Sequence, residues 1–200
     1  DSISGLATLH PLNLYGWTKH LFDRRVAREV ASGAALPRQW AGLKFFNVFG
    51  PNEFHKGRMR SVALQAFEQL EGGKTIKLFK SHRPDIEDGG QRRDFIYVRD
   101  CVDVILWLLD SPDINGIYNL GTGTARTFAD VAAAACQALN REVDITYIDM
   151  PEDLRDRYQY VTEAEMGRLR AAGYKREFTS LEEGVADYFQ SYLVQGDPYR

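Results

Sequence analysis

The sequence predicts an α/β fold, and three observations predict it. Apolar side chains alternate between helical and strand-like spacing along the chain. The strand-like runs are nearly continuous, as in parallel strands covered on both faces. Glycine, proline and threonine–acid pairs stand at the joins, where helices start and stop.

Leu14, Leu21, Phe22, Val26 and Val30 recur at helical spacing and predict a first helix over 14–30. The run 41–49 reads as a buried parallel strand stopped by Gly50-Pro51. An amphipathic stretch over 59–70 ends at Gly72-Gly73, a helix stop. Strands are predicted over 75–79 and 93–98, separated by a polar loop over 81–91. A helix over 100–109 and a strand over 116–120 follow, and a further strand is predicted over 143–149. Three later helices are expected to open on capping boxes: Thr127/Asp130, Thr162/Glu165 and Thr179/Glu182. In such a box the hydroxyl accepts from a free backbone N–H while the carboxylate reaches back to the N–H of the cap.

Two hundred residues, 44% hydrophobic and 26% charged, suffice for one core or for one core with a smaller lobe. A net charge of -3 gives no ground for nucleic acid or an acidic membrane surface as partner. The most apolar run, 104–109, is far shorter than the roughly 20 residues of a membrane helix. Cys101 and Cys136 read as small buried hydrophobes in a reducing compartment, which sets the expected location as cytoplasmic. His10, His20, His55 and His82 lack ligand-like spacing, so no metal is expected.

Tyr15 and Lys19 stand four apart on the first helix and therefore share a face. At about 5 Å and an effective dielectric near 20, the ammonium would stabilise a tyrosinate by roughly 3 kcal/mol, about 2 pKa units. Such a phenol approaches the range of a general base. Taken alone, the spacing is weak evidence, and the plainer reading of the isolated pair is a packed, surface-lying tyrosine beside a solvated lysine. Gly121-Thr122-Gly123 follows a strand, but Arg126 occupies the third glycine's place, so it is not a dinucleotide-binding turn.

The pair sits in Pro11-Leu12-Asn13-Leu14-Tyr15-Gly16-Trp17-Thr18-Lys19. Downstream come Phe45-Phe46-Asn47-Val48-Phe49-Gly50-Pro51, Arg93-Asp94-Phe95-Ile96-Tyr97-Val98-Arg99-Asp100 and Tyr118-Asn119-Leu120-Gly121-Thr122-Gly123. In this order they resemble the extended short-chain dehydrogenase/reductases that act on nucleotide sugars. The resemblance implies the C-terminal part of a Rossmann-type doubly wound parallel sheet, plus a smaller α/β substrate-binding lobe. Residues 1–50 and 92–122 would belong to the sheet, and 51–91 with 123–200 mainly to the lobe. It also implies Tyr15 as acid/base and Lys19 as the residue that binds the nicotinamide ribose and lowers the tyrosine's pKa. Within that family, Asn52-Glu53-Phe54-His55-Lys56-Gly57-Arg58-Met59, Arg157-Tyr158-Gln159 and 169–174 are similar to the ADP-glycero-manno-heptose 6-epimerases.

The narrower resemblance implies inversion at C6 of the heptose in ADP-heptose, by way of a transient ketone and bound NADP, with NAD as the alternative cofactor. It makes Lys56 a second acid/base that also touches the cofactor, and places the Val48 backbone at the cofactor. Two proton donors serve the two presentations of the ketone, because the nicotinamide offers one face only. Carried over position by position, the substrate contacts are Asn47, Arg58, Gln65, Phe79, Lys80, Ser81, His82, Arg93 and Tyr158. Arg58 stands where members can have a small hydroxyl residue and Gln65 where a histidine can bind substrate, and 83–91 looks like an insertion. Plainer readings stand beside three of these assignments: a solvated loop lysine for Lys56, core for Phe79, and an ion pair with Asp94 or Glu87 for Arg93.

No Gly-x-x-Gly-x-x-Gly turn, which would cradle a pyrophosphate at a helix N-terminus, occurs in the sequence. The chain is therefore expected to be the C-terminal part of a longer enzyme, homo-oligomeric at full length, and to bind NADP weakly by itself. The resemblance implies a product destined for the inner core of lipopolysaccharide. The rival expectations are another sugar-nucleotide epimerase or dehydratase, and a non-catalytic sugar-nucleotide binding protein.

Overall fold

The computed structural model describes residues 3–155 and 158–196, so Arg157 lies outside the described residues. A 3-10 turn, Ser4–Thr8, leads to α1 (Leu14–Ala31). The Asn13 side chain opens α1 by accepting from the Gly16 N–H at 2.8 Å. The apolar positions that predict this helix do not form its buried face. Leu14, Leu21 and Phe22 are exposed, and the buried residues are His20 and Asp23. Asp23 pairs with Lys44 of β1 (Ala41–Phe45). The sheet at this point is two strands wide, too narrow to cover both flanks of an 18-residue helix.

The predicted strand 41–49 is broken at Phe46. β1 runs parallel to β6 (Gly116–Leu120), with Ala41 opposite Gly116 and Phe45 opposite Leu120. β2 (Asn47–Phe49) runs parallel to β5 (Phe95–Tyr97). Phe46 donates its N–H to Leu120 and Asn47 donates to Asp94, both at 3.0 Å, so the kink hands one strand between two partners. The predicted strand 93–98 breaks likewise at Asp94, between β4 (Arg92–Arg93) and β5.

After β2 a 3-10 turn spans Phe54–Met59, and α2 (Val62–Glu71) begins later than predicted. The late start has a local cause. Ser61 caps the helix at the Leu64 N–H, and the buried Glu53 carboxylate takes both the Ser61 N–H (2.5 Å) and its hydroxyl (2.6 Å). β3 (Ile76–Phe79) pairs parallel with β8 (Ile145–Ile148). α3 (Val98–Leu109) follows β5. β7 (Arg126–Thr127) pairs antiparallel with β4, which also pairs parallel with β9 (Val161–Thr162).

Of the three expected capping boxes, Thr127/Asp130 forms at the start of α4 (Phe128–Ala138). Thr162 instead lies in β9, and the next helices are α5 (Glu152–Arg155) before it and α6 (Gly167–Ala171) after it. At α7 (Leu181–Tyr188) the box is Ser180/Glu183, one residue later than expected. Thr179 is drawn away by Asp100, whose carboxylate accepts its N–H at 3.0 Å and its hydroxyl at 2.9 Å. A π-helical turn, Phe189–Leu193, follows α7.

Two apolar clusters hold the fold. In one, α3 and the segment around Leu169 and Tyr174 cover Ile96, Tyr118 and Leu120. In the other, α2, α4 and α7 enclose β3 and the inner faces of Phe49, Phe95 and Tyr97. Cys136 and Cys101 are free and buried, as expected. Among the described residues no helix is long and apolar enough to cross a membrane.

Candidate functional site

β3 and β8 lie beside the start of α4, and where they meet the chain leaves a cleft of about 890 Å3. Gln65, Phe79, Gln91, Phe128, Ile148 and Tyr158 are among its lining residues. Phe79 ends β3, and the Lys80 N–H extends the pairing by donating to the Ile148 carbonyl at 2.8 Å. The Lys80 ammonium lies 3.3 Å from Asp149. Beyond it the chain leaves the sheet. The Ser81 N–H donates to Asp88 (2.7 Å), its hydroxyl donates to the Arg83 carbonyl (3.1 Å), and the His82 N–H donates to the Tyr160 phenol (2.9 Å).

Arg93 packs against two of the rings that line this cleft. Its guanidinium lies over the Tyr158 ring at 5.1 Å and the Phe128 ring at 5.7 Å, and it donates to the Arg92 carbonyl at 2.8 Å. The ion pair expected as its plainer reading does not form: among the described residues no carboxylate pairs with it. Burial holds its pKa below the usual arginine value, with Tyr158 opposing. A half-buried cation without an acid partner suits an incoming phosphate, because the aromatic faces engage its plane and leave the edge donors other than the one given to Arg92 for a ligand.

Asp94 fixes the backbone next to Arg93. Its carboxylate is fully buried and accepts from Thr122 N–H and Oγ1 (both 2.7 Å), Gly123 N–H (2.9 Å) and Ala164 N–H (3.0 Å). A Cβ on Gly121 would stand 2.6 Å from the Asp94 Oδ2. The Gly121-Thr122-Gly123 turn therefore cradles this internal carboxylate rather than a ligand phosphate.

The remaining predicted residues form a second group. Tyr15 occupies the first turn of α1, 72% exposed, with the Lys19 ammonium 5.1 Å from its ring centroid. Lys19 also lines a hollow of about 550 Å3 together with Gly16, His20, Lys44 and Phe46. Asn47 and Val48 follow Phe46 in β2, Asn47 exposed and Val48 half-buried. Lys56 is exposed on the 3-10 turn, whose Gly57 reaches the large cleft. That turn is pinned by Glu53 at Ser61, by Arg60, whose Nε donates to the Gly57 carbonyl (2.7 Å), and by Gln65, whose amide donates to the Arg60 carbonyl (2.9 Å). Gly57 has φ 55°, open to glycine at low cost. The Arg58 side chain lies outside the described residues.

Sequence reasoning passed over Phe128, Tyr160 and Gln91. Phe128 reads as the first apolar residue of a helix, and nothing in its spacing shows the cation above its ring. Tyr160, two residues from Tyr158, carried the one available signal, since alternate residues of an extended segment share a face.

A model of the NAD dependent epimerase/dehydratase family matches residues 2–121, more than half of the chain. The chain belongs to that family. It is 51% identical over 199 residues to the ADP-L-glycero-D-manno-heptose-6-epimerase of Nitratidesulfovibrio vulgaris, with 100% of the chain and 60% of that protein covered. It is 46% identical over 200 residues to the enzyme of the same name from Fusobacterium nucleatum, covering 97% of the chain and 59% of that protein. The chain thus spans about 60% of the length of these curated relatives. Among solved structures it is similar to the Helicobacter pylori ADP-L-glycero-D-manno-heptose-6-epimerase, at 26% identity and TM-score 0.68. That match covers 91% of this chain and 52% of the other. The fold class read from the sequence holds: parallel strands and helices, with Rossmann-type epimerases as structural neighbours.

Proposed function

We propose that the protein carrying this chain inverts C6 of the heptose in an ADP-glycero-manno-heptose, and that this chain supplies the acid/base groups and the nucleotide cleft. The observation that carries the reading is Arg93, a half-buried guanidinium with no acid partner among the described residues, set over two aromatic rings that line a cleft of about 890 Å3. Arg93 would take the diphosphate, whose paired oxygens match its fork of donors. Phe79, half-buried at the cleft wall, would face the base, and Lys80, Ser81, His82, Tyr158, Gln65 and Arg58 would complete the nucleotide and sugar contacts.

The family's nicotinamide cofactor, when bound, supplies the acceptor and donor of the hydride. The groups present fit one end of it: the exposed Lys19 ammonium can donate to ribose hydroxyls, and Val48 and Lys56 would complete the contacts there. A glycine turn for its pyrophosphate is not part of this sequence. Tyr15 would take the C6 hydroxyl proton and return it, with the Lys19 ammonium one helical turn away. Lys56 would serve the opposite face of the same carbon and hold or give the proton when the sugar is presented the other way. Asn47 would orient the sugar at the end of β2.

Under this reading residues 1–50 and 92–122 belong to the cofactor-binding sheet, and 51–91 with 123–200 mainly to the substrate lobe. The protein is a cytoplasmic homo-oligomer that uses NADP and makes a precursor of the lipopolysaccharide inner core. A matched test expresses the complete reading frame and follows the C6 configuration of ADP-heptose by NMR, with NADP and with NAD, against UDP- and dTDP-sugars. Tyr15→Phe and Lys56→Met should each cut epimerisation at least about a hundredfold, the scale of a lost general acid/base. Near-normal epimerisation by either variant, or a preference for UDP- or dTDP-sugars, would refute the assignment.

A further inference from the structure

Residues 79–82 leave the cleft wall at Phe79 and form an edge where the nucleotide reading puts four contacts, yet sheet pairing holds only its first half. After the Lys80 N–H the segment receives no further ladder bond, and two side chains from elsewhere take over. Gln91, only 1% exposed, donates its side-chain amide to the carbonyls of Phe79 (3.3 Å) and Lys80 (3.2 Å). Tyr160 accepts the His82 N–H at 2.9 Å through its phenol oxygen. Its ring lies edge-on to Tyr158 with centroids 5.5 Å apart, and the Arg83 guanidinium lies over its face at 5.3 Å. A continuous series of ring and cation contacts therefore runs from Arg83 through Tyr160 and Tyr158 to Arg93 and Phe128.

We infer that Gln91 and Tyr160 are positioning residues, a two-point clamp that sets the 79–82 edge at a fixed distance from Arg93, so that base and diphosphate are gripped together. The inference rests on the nucleotide-cleft reading above. The geometry supports the clamp. Gln91 lines the cleft wall beneath Phe79, and Tyr160 ties the far end of the edge to the ring that also packs against Arg93. The segment 83–91, which looked like an insertion, is the strap that leads from the edge at His82 to Gln91. Asp88 holds the Ser81 N–H, and the Gly89 carbonyl accepts from the Ala129 N–H at 3.3 Å, docking the strap on α4. Preorganisation of this kind raises affinity by reducing what must be ordered on binding.

Calorimetric titration of ADP into the protein expressed from its complete reading frame separates the possibilities. Tyr160→Phe keeps the ring and loses the acceptor of the His82 N–H. Gln91→Met keeps volume and loses two donors. Each should weaken ADP by about five- to tenfold, the scale of one well-placed hydrogen bond, with one site per chain retained. A merely structural role would instead lower the number of competent sites and leave the affinity of the remainder unchanged. That result, or unaltered binding by both variants, would overturn the clamp. Failure of the unsubstituted protein to bind ADP would sink the nucleotide-cleft reading itself, and the clamp with it.

Discussion

Asp94→Asn is the sharpest stability test, because the substitution keeps the shape of the side chain and changes only its acceptors. Each carboxylate oxygen serves two donors: Oδ1 takes the N–H and Oγ1 of Thr122, and Oδ2 takes the N–H groups of Gly123 and Ala164. Asparagine retains one oxygen. Its NH2 must then face either the Thr122 pair or the Gly123/Ala164 pair, leaving at least one buried backbone N–H without an acceptor. Bonds to a charged acceptor are worth about 1.5–3 kcal/mol and neutral ones about 0.5–1.5, and an orphaned donor costs about 1–3. Removing the charge relieves part of the desolvation cost of a buried carboxylate, so the net loss should be about 2–4 kcal/mol. For a chain of 200 residues that lowers the thermal midpoint by roughly 5–15 °C. Urea unfolding of both proteins measures it directly. A difference below about 0.5 kcal/mol would refute this, because the turn at 121–123 would then hold its shape without the carboxylate.

Two further predictions rest on a partly exposed ion pair and on the burial of the thiols. Arg126 grips Glu182 through both nitrogens, at 2.6 and 3.2 Å, and this hydrogen-bonded pairing holds the Glu182 carboxyl below its ordinary value of 4.5. A depressed folded-state pKa contributes stability that is complete above that ordinary value and is lost as pH falls through the folded one. Glu182→Gln should therefore be less stable than the unsubstituted protein at pH 7, with the gap narrowing in acid denaturation below about pH 4.5; a gap independent of pH would refute the pairing. The Cys101 thiol is pushed up to about 12 by burial, with Asp100 adding to the effect. Cys101 and Cys136 should both resist a thiol reagent at pH 8 until urea unfolds the chain, and fast labelling of the folded protein would contradict their burial.

Much of the fold was legible because it is written in local chemistry. The box at Thr127/Asp130 and the strand over 116–120 follow from residues within a few positions of one another. The failures are instructive for the opposite reason. Thr179 has the spacing of a capping residue, yet Asp100, 79 positions away, captures its hydroxyl and passes the cap to Ser180. The run 41–49 is apolar except for Lys44 and Asn47, and that pattern does not reveal that two different strands divide it at Phe46.

The same line divides the candidate site. Tyr15 and Lys19 could be found from the sequence, because one helical turn is enough to bring them together. The exposure of that pair could not be, since it depends on what covers the outer flank of α1. Arg93 could be nominated from its motif, but its character could not: whether it meets a carboxylate or two aromatic rings is decided by Phe128 and Tyr158, 35 and 65 positions further along. By itself the sequence determined which residues can ionise and which turns can form, because those are properties of short stretches. Only the tertiary structure decided which charges are left without a counter-charge, because that depends on distances between segments remote in the chain.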